Sequence, residues 1–105
     1  MKMDRDINKS GKGKYALVKM REVRGDPRTR PALARRIAEN PACLDFGVEY
    51  AEGEFFVIRL KDKNARAALL AYADSCAGDD PEFSQAVREM AERAGPRNQF
   101  CKTPD

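Results

Sequence analysis

Apolar and polar residues alternate along residues 44–50, and this pattern limits the fold of the chain more than any other feature. The apolar positions recur at every second residue: Leu44, Phe46, Val48 and Tyr50. A period of two predicts a β-strand with one face in a core and the other face in water. Residues 51–54 then interrupt the pattern, and Gly53 among them can adopt a positive φ, so we predict a short hairpin loop.

The segment that follows this loop, residues 55–60, is apolar on both faces. Phe56, Ile58 and Leu60 fall on one face of an extended segment, and Phe55 and Val57 fall on the other. A strand with two apolar faces is typical of the middle of a sheet, or of a sheet that is covered on both sides. We therefore predict that residues 55–60 form the central strand.

Three further segments, near residues 31–40, 65–76 and 81–94, show the spacing of amphipathic helices, in which apolar residues recur three and four positions apart. The predicted stripes are Leu33, Ala34, Ile37 and Ala38; Ala65, Ala68, Leu69, Tyr72, Ala73 and Cys76; and Phe83, Ala86, Val87, Met90, Ala91 and Ala94. Asp62 or Asn64 is expected to cap the second helix. Asp80 is expected to cap the third, because Pro81 follows it at the first helical position.

The order of the elements predicts the fold class. Alternation over residues 15–23 predicts a first strand, so the order is β-α-β-β-α-α. We predict an α+β fold: a three-stranded antiparallel-type sheet with split β-α-β order and two C-terminal helices. The first and second strands then lie parallel on either side of the third, joined by a right-handed crossover. Residues 1–13 are predicted to be a flexible N-terminal arm, 14–96 a single α+β domain and 97–105 a C-terminal tail.

The charge of the chain is distributed unevenly. The 105 residues carry 20 Lys or Arg and 17 Asp or Glu, a net charge of +3. Residues 1–36 hold twelve of the basic residues against four acidic ones, and the remainder holds eight against thirteen. A basic first third is typical of chains that bind a phosphate backbone or an acidic protein surface. An equal alternative is that these basic side chains interact with the acidic part of the same molecule.

The cysteine pattern and the hydropathy predict a cytoplasmic protein. Cys43, Cys76 and Cys101 are odd in number and far apart, which favours reduced structural thiols over a disulfide framework. No apolar run approaches the ~18 residues needed to cross a bilayer. The N-terminus lacks the hydrophobic region of a signal peptide.

The candidate catalytic residues have simpler structural explanations. Asp79 and Asp80 are adjacent carboxylates, but a cap at Asp80 accounts for that residue and favours its ionised form. Cys76 lacks a histidine base, since the chain contains no histidine, and it completes a helix stripe where a buried thiol is expected. We therefore predict no enzymatic activity, no catalytic residue, no metal and no cofactor.

The basic side chains of the first third are the first candidate binding surface. They are Lys12, Lys14, Lys19, Arg21, Arg24, Arg28, Arg30, Arg35 and Arg36. Lys19 and Arg21 share a predicted strand face with Tyr15, and cations beside an aromatic ring are typical of surfaces that bind single-stranded nucleic acid. An edge strand that carries charges against aggregation explains Lys19 and Arg21 equally well.

The second face of the predicted sheet is the other candidate. Tyr15, Leu17, Phe55 and Val57 form an apolar patch if both long helices pack on the opposite face. An open patch would bind another protein or a second copy of this chain. The alternative is that the third helix, or the tail with Phe100, covers the patch, and a strand with two apolar faces favours this.

Several segments resemble a group of small proteins encoded by temperate tailed phages and prophages of Proteobacteria. The resemblance covers about half of the chain, and the segment 24–36 does not match. The matching segments are Lys14-Tyr15-Ala16-Leu17-Val18, Glu54-Phe55-Phe56-Val57-Ile58-Arg59-Leu60-Lys61-Asp62-Lys63, residues 67–73, Asp79-Asp80-Pro81-Glu82-Phe83, Gly95-Pro96 and Phe100-Cys101-Lys102-Thr103-Pro104-Asp105. This group has no assigned activity, so the resemblance implies no catalytic residues.

A phage origin implies a class of function rather than a specific activity. Small accessory phage proteins without catalytic motifs are often inhibitors of host machinery, including CRISPR effectors, an argument from origin alone. Our first hypothesis is a non-enzymatic accessory protein that binds a host protein or nucleoprotein complex in the host cytoplasm, as an anti-CRISPR-like inhibitor of a bacterial defence system. The alternative is a nucleic-acid-binding protein that uses the basic first third. Neither hypothesis involves a membrane.

Overall fold

The structure, a computed structural model, describes residues 14–103. These residues combine three α-helices with a two-stranded antiparallel sheet, so the predicted mixture of helix and strand is confirmed. The chain divides into two compact units, residues 1–57 and 58–105. The assignment of residues 14–96 to one domain stays a prediction, and the predicted arm, residues 1–13, lies outside the described residues.

The first unit contains the sheet and the first helix. Its elements are strand β1 (Leu17–Val18), helix α1 (Arg30–Glu39) and strand β2 (Leu44–Asp45). The two strands pair antiparallel, with Leu17 opposite Asp45 and Val18 opposite Leu44. The backbone N–H of the next residue, Lys19, donates to a carbonyl before β2 at 2.7 Å, so the pairing continues for one more hydrogen bond.

Of the predicted first strand, residues 15–23, only Leu17–Val18 is a strand, and the prediction is wrong before Leu17 and beyond Val18. The chain turns there into a 3₁₀ helix, Met20–Glu22. Because β2 has only two residues, the backbone after β1 has no strand partner and satisfies its hydrogen bonds within this turn, at 2.9 and 3.2 Å. Arg21 therefore lies in a turn and not on a strand face beside Tyr15.

The predicted three-stranded sheet is not found in residues 14–103. Residues 55–60 form no strand, and β1 and β2 are antiparallel neighbours instead of parallel strands on either side of a third. Two residues in the left-handed region explain why the alternation over residues 44–50 does not continue as a strand: Gly47 has a φ of 60° and Tyr50 a φ of 68°. Each of them breaks the extended backbone.

Helix α1 agrees with the predicted first helix. The Thr29 hydroxyl caps it by accepting the backbone N–H of Ala32 at 3.3 Å, and Pro31 lies in its first turn. No residue of α1 is buried, and its largest apolar side chains, Leu33 and Ile37, are half-buried. The predicted narrow stripe is therefore covered only in part.

The second unit is a pair of antiparallel helices. They are α2 (Ala65–Cys76) and α3 (Pro81–Ala91). The predicted cap of α3 is confirmed, because the Asp80 carboxylate accepts the backbone N–H of Phe83 at 3.1 Å. At the start of α2, the Asp62 carboxylate accepts the N–H of Asn64 at 2.7 Å, and the Asn64 side chain makes no capping hydrogen bond.

Small side chains fill the contact between α2 and α3. The buried apolar positions are Ala65, Ala73, Val87, Ala91 and Ala94, where the predicted stripes are confirmed. The buried hydroxyl of Ser84 donates to the carbonyl of Ala73 at 2.7 Å. The stripes are wrong at Ala86, which is exposed, and at Tyr72, Phe83 and Met90, which are 56%, 50% and 38% exposed. Small residues let the two helices approach closely, and the bulkier side chains at the edges of the stripes are left outside.

Lys102 of the predicted tail is hydrogen-bonded to the segment before α2. The N–H of Lys63 donates to the carbonyl of Lys102 at 3.1 Å, and the N–H of Lys102 donates to the carbonyl of Lys61 at 2.9 Å. This parallel bridge fixes residue 102 beside the start of the helix pair. None of the three helices in the described part of the chain has the length and apolar character that a membrane crossing requires.

Candidate functional site

Four large apolar side chains of the first unit are exposed along residues 45–56, a segment that we call the apolar loop. They are Phe46 (49% exposed), Val48 (37%), Tyr50 (90%) and Phe56 (62%). The alternation predicted a core position for the first three, and this prediction is wrong because the loop departs from the sheet after β2. Contiguous patches of exposed apolar side chains are typical of protein interaction surfaces.

Close contacts across its base hold the apolar loop in shape. The Asp45 carboxylate accepts the backbone N–H of Gly47 at 3.0 Å, and a Cβ at Gly53 would lie 2.6 Å from an oxygen of this carboxylate. The Phe55 ring lies against Gly47, where a Cβ would lie 2.4 Å from a ring carbon. Residue 47 favours glycine, because its φ is 60° and a Cβ there would displace the Phe55 ring, whereas the Asp45 carboxylate beside Gly53 ends a flexible side chain that can shift. The loop therefore presents its exposed side chains from a preformed backbone.

Tyr50 lies at the tip of the apolar loop in a conformation that bulky residues rarely adopt. It is the third residue of a turn closed by the N–H of Ala51 and the carbonyl of Val48 at 3.0 Å, a position that favours glycine or asparagine when φ is positive. A Glu54 carboxylate oxygen accepts the N–H of Tyr50 at 3.3 Å. Such backbone strain costs on the order of 1–3 kcal/mol and is typical of functional sites. With 90% of Tyr50 exposed, packing of the ring does not account for this cost.

The apolar loop is also acidic. Residues 45–56 contain Asp45, Glu49, Glu52 and Glu54, and no lysine or arginine. Glu49 and Glu52 flank the tip on either side of Tyr50. Charge complementarity steers association and excludes partners of like charge. The loop therefore favours a partner with an apolar contact area and a basic rim.

Carboxylates of the same unit neutralise part of the predicted basic surface. The ion pairs are Lys19–Glu22 at 2.9 Å, Arg24–Glu39 at 3.1 Å, Arg28–Asp26 at 3.0 Å and Arg36–Glu39 at 2.9 Å. The hydrogen bond from Arg24, with the charges of Arg24 and Arg36, lowers the pKa of Glu39 below its ordinary value. The hydrogen bond and charge of Glu22 raise the pKa of Lys19. These four cations therefore have anionic partners inside the first unit.

Of the remaining predicted basic residues, Lys14 lies over the Tyr15 ring, and Arg21 lies in the turn after β1. Arg21, Arg30 and Arg35 are exposed and form no ion pair with residues 14–103. The half-buried Tyr15 ring faces Lys14, whose Nζ lies 5.7 Å from the ring centre. Lys12 lies outside the described residues.

The predicted sheet-face patch is also rearranged. Phe55 and Val57 are half-buried, and Phe56 between them is exposed. Without a third strand there is no shared sheet face to place Phe55 and Val57 beside Tyr15 and Leu17. Tyr50 and Phe56 are absent from the predicted binding residues, because the apolar pattern of residues 44–60 places both side chains in a core. Gly47 was the available signal, since a glycine inside a strand pattern often marks a break or a close approach.

Comparisons of the chain with models of protein families, with curated proteins and with solved structures find no match. Among residues 14–103, no group of three or more Cys, Asp or Glu side chains is arranged to hold a metal ion. Cys43, Cys76 and Cys101 are free thiols, which are buried, half-buried and exposed respectively.

Proposed function

We propose that the chain is a non-enzymatic accessory protein of phage origin that binds a host protein in the host cytoplasm. The apolar loop is the proposed binding surface. The observation that carries this proposal is Tyr50, which is 90% exposed and held at a φ of 68° on a loop with a fixed base. For a surface of this kind, the resemblance to phage proteins favours anti-CRISPR-like inhibition of a bacterial defence system.

The physics of protein interfaces supports this use of the loop. A few aromatic side chains supply most of the binding energy at many interfaces, and tyrosine is among the residues most enriched there. A preformed loop loses little conformational entropy when it binds, so more of the contact energy appears as affinity. Tyr50 and Phe56 supply exposed aromatic area, and Glu49 and Glu52 supply charges for the rim of the interface.

The proposal is tested by capture of proteins from a lysate of the bacterial host on immobilised chain, followed by reconstitution with the purified captured protein. The variants are Tyr50→Asn, which keeps a residue that tolerates positive φ while removing the ring, and Phe56→Ser. We expect each variant to weaken the reconstituted binding by at least about tenfold, as for an interfacial hot spot. The matched control is Phe100→Ser, which removes a 67% exposed ring from the second unit.

Two results of this experiment decide the proposal. Loss of binding in Tyr50→Asn and Phe56→Ser, with full binding in Phe100→Ser, supports the apolar loop as the contact surface. Unchanged affinity in the two loop variants overturns the proposal, and circular dichroism of each variant distinguishes loss of the contact from loss of the fold. In cells with an active defence system, expression of the unchanged chain should restore phage plating, and expression of Tyr50→Asn should not. This pair of results would identify the captured protein as a defence component.

The alternative function, nucleic-acid binding, depends on the basic residues of the first third. Four of them, Lys14, Arg21, Arg30 and Arg35, are exposed and form no ion pair with residues 14–103. Four phosphate contacts give weak binding with a shallow salt dependence. We therefore expect no retention of single- or double-stranded DNA or RNA in a filter-binding assay above ~50 mM salt, where phosphate contacts are already weakened. Tight binding that falls steeply with salt, and disappears when all four are changed to Gln, would favour the alternative over the apolar loop.

A further inference from the structure

Helix α3 carries an exposed apolar face beside its buried contact with α2. Phe83, Ala86 and Met90 recur at i, i+3 and i+7, so they lie on one side of the helix, and all three are exposed. Tyr72 of α2 extends this face, since its ring meets the Phe83 ring edge to face at 6.2 Å between centroids. We call Tyr72, Phe83, Ala86 and Met90 the α3 face.

The two ends of the helix pair carry opposite charge. The end formed by the α2–α3 connection holds the carboxylates Asp79, Asp80 and Glu82. The opposite end holds seven basic residues, Arg59, Lys61, Lys63, Arg66, Arg93, Arg97 and Lys102, against the three acidic residues Asp62, Glu89 and Glu92. Between the ends, Asp74 and Arg88 pair with each other. The helix pair is therefore acidic at one end and basic at the other.

We propose that the α3 face binds the same face of a second copy of this chain, with the two α3 helices antiparallel about a two-fold axis near Ala86. In this arrangement Phe83 of each copy lies opposite Met90 of the other, because the two residues lie three and four positions from Ala86, on opposite sides of the axis. Thioether sulfur and aromatic rings make favourable contacts. The small side chain of Ala86 lets the two backbones approach at the centre.

The charges of the two ends select a second copy as the occupant. A partner of uniform charge would attract one end of the helix pair and repel the other. An antiparallel copy places the acidic end of each helix pair beside the basic end of the other, so both ends are matched at once. An interface about a two-fold axis needs this self-complementarity, because the same patch is used twice.

The size of the α3 face predicts a weak dimer. Helix α3 has 11 residues, so the contact is about 16 Å long. Such a contact buries less than the ~800 Å² per partner of standard interfaces. The dimer is therefore expected to form as the concentration is raised towards about 1 mM, with fast exchange between monomer and dimer.

The first test measures molar mass by analytical ultracentrifugation of the full chain over a concentration series, with a reductant to prevent disulfides through the exposed Cys101. We expect dimer in the unchanged chain and about a tenfold or larger loss of association in Met90→Lys, which buries a charge in the apolar contact. The control is Gln85→Lys, which adds the same side chain to an exposed position on the far side of α3. Only monomer in the unchanged chain at about 1 mM overturns the proposal.

The second test reverses charges and does not touch the apolar residues. Glu82→Lys and Arg93→Glu each place like charges near one another in the antiparallel dimer, so each should weaken association. The double variant restores opposite charges at both ends and should recover it. Equal weakening in the double variant overturns the antiparallel arrangement. Tyr50→Asn should dimerise normally, so failure of this proposal and failure of the proposed function are distinguishable.

Discussion

Gly47→Ala is expected to open the apolar loop and to abolish binding of the partner captured through it, whereas Gly25→Ala should leave both intact. The two glycines have similar left-handed backbones, with φ values of 60° and 74°. A Cβ at residue 47 would lie 2.4 Å from the Phe55 ring, while a Cβ at residue 25 meets no atom within 4 Å. Both variants therefore incur the left-handed cost of about 1–2 kcal/mol, but only Gly47→Ala must also displace a ring.

The comparison of the two variants isolates the contact between Gly47 and Phe55. We expect Gly47→Ala to shift the amide resonances of residues 45–56 and to lower the free energy of unfolding by about 2 kcal/mol more than Gly25→Ala, since the displaced ring loses its packing. Urea titration and two-dimensional NMR measure these quantities. If the two variants lose the same stability and retain the same loop resonances, the ring does not hold the loop as described.

The sequence predicts the helices of this fold well because their ends are determined locally. Proline at the first turn of α1 and α3, and a carboxylate at the cap of α3, act within a few residues of their own position. The sheet depends on contacts between distant segments, and a local sequence pattern does not predict which segments pair. Residues 55–60 have the composition of a central strand, yet β2 pairs with β1 and leaves them without a strand partner.

The candidate site shows the same division between local and distant information. The acidic character of the apolar loop follows from the sequence alone, because no lysine or arginine lies within residues 45–56. The exposure of Tyr50 does not, since it depends on positive φ values at residues 47 and 50 that redirect an apparent strand. The basic first third was recognisable as a group. The ion pair between Arg24 and Glu39 joins positions fifteen residues apart, so it can be identified only from the fold.

Ala73→Leu is expected to destabilise the helix pair strongly, because the space around residue 73 is already filled. Ala73 has no exposed surface, and its carbonyl accepts the buried hydroxyl of Ser84 at 2.7 Å. An isobutyl group at this position must push α2 and α3 apart. Overpacking of this kind costs about 1–3 kcal/mol, and loss of the Ser84 hydrogen bond adds about 1 kcal/mol.

Ala71→Leu is the matched control, because it makes the same change at an exposed position of α2 and alanine and leucine have similar helix propensities. Urea unfolding followed by far-ultraviolet circular dichroism should show a change within about 0.5 kcal/mol for this control. Adding Ser84→Ala to Ala73→Leu creates space beside residue 73, so the double variant should be more stable than the sum of the single changes predicts. Similar small losses in Ala73→Leu and Ala71→Leu would mean that the helices are not packed through small residues, and the placement of Phe83 and Met90 on an outer face would then lose its structural basis.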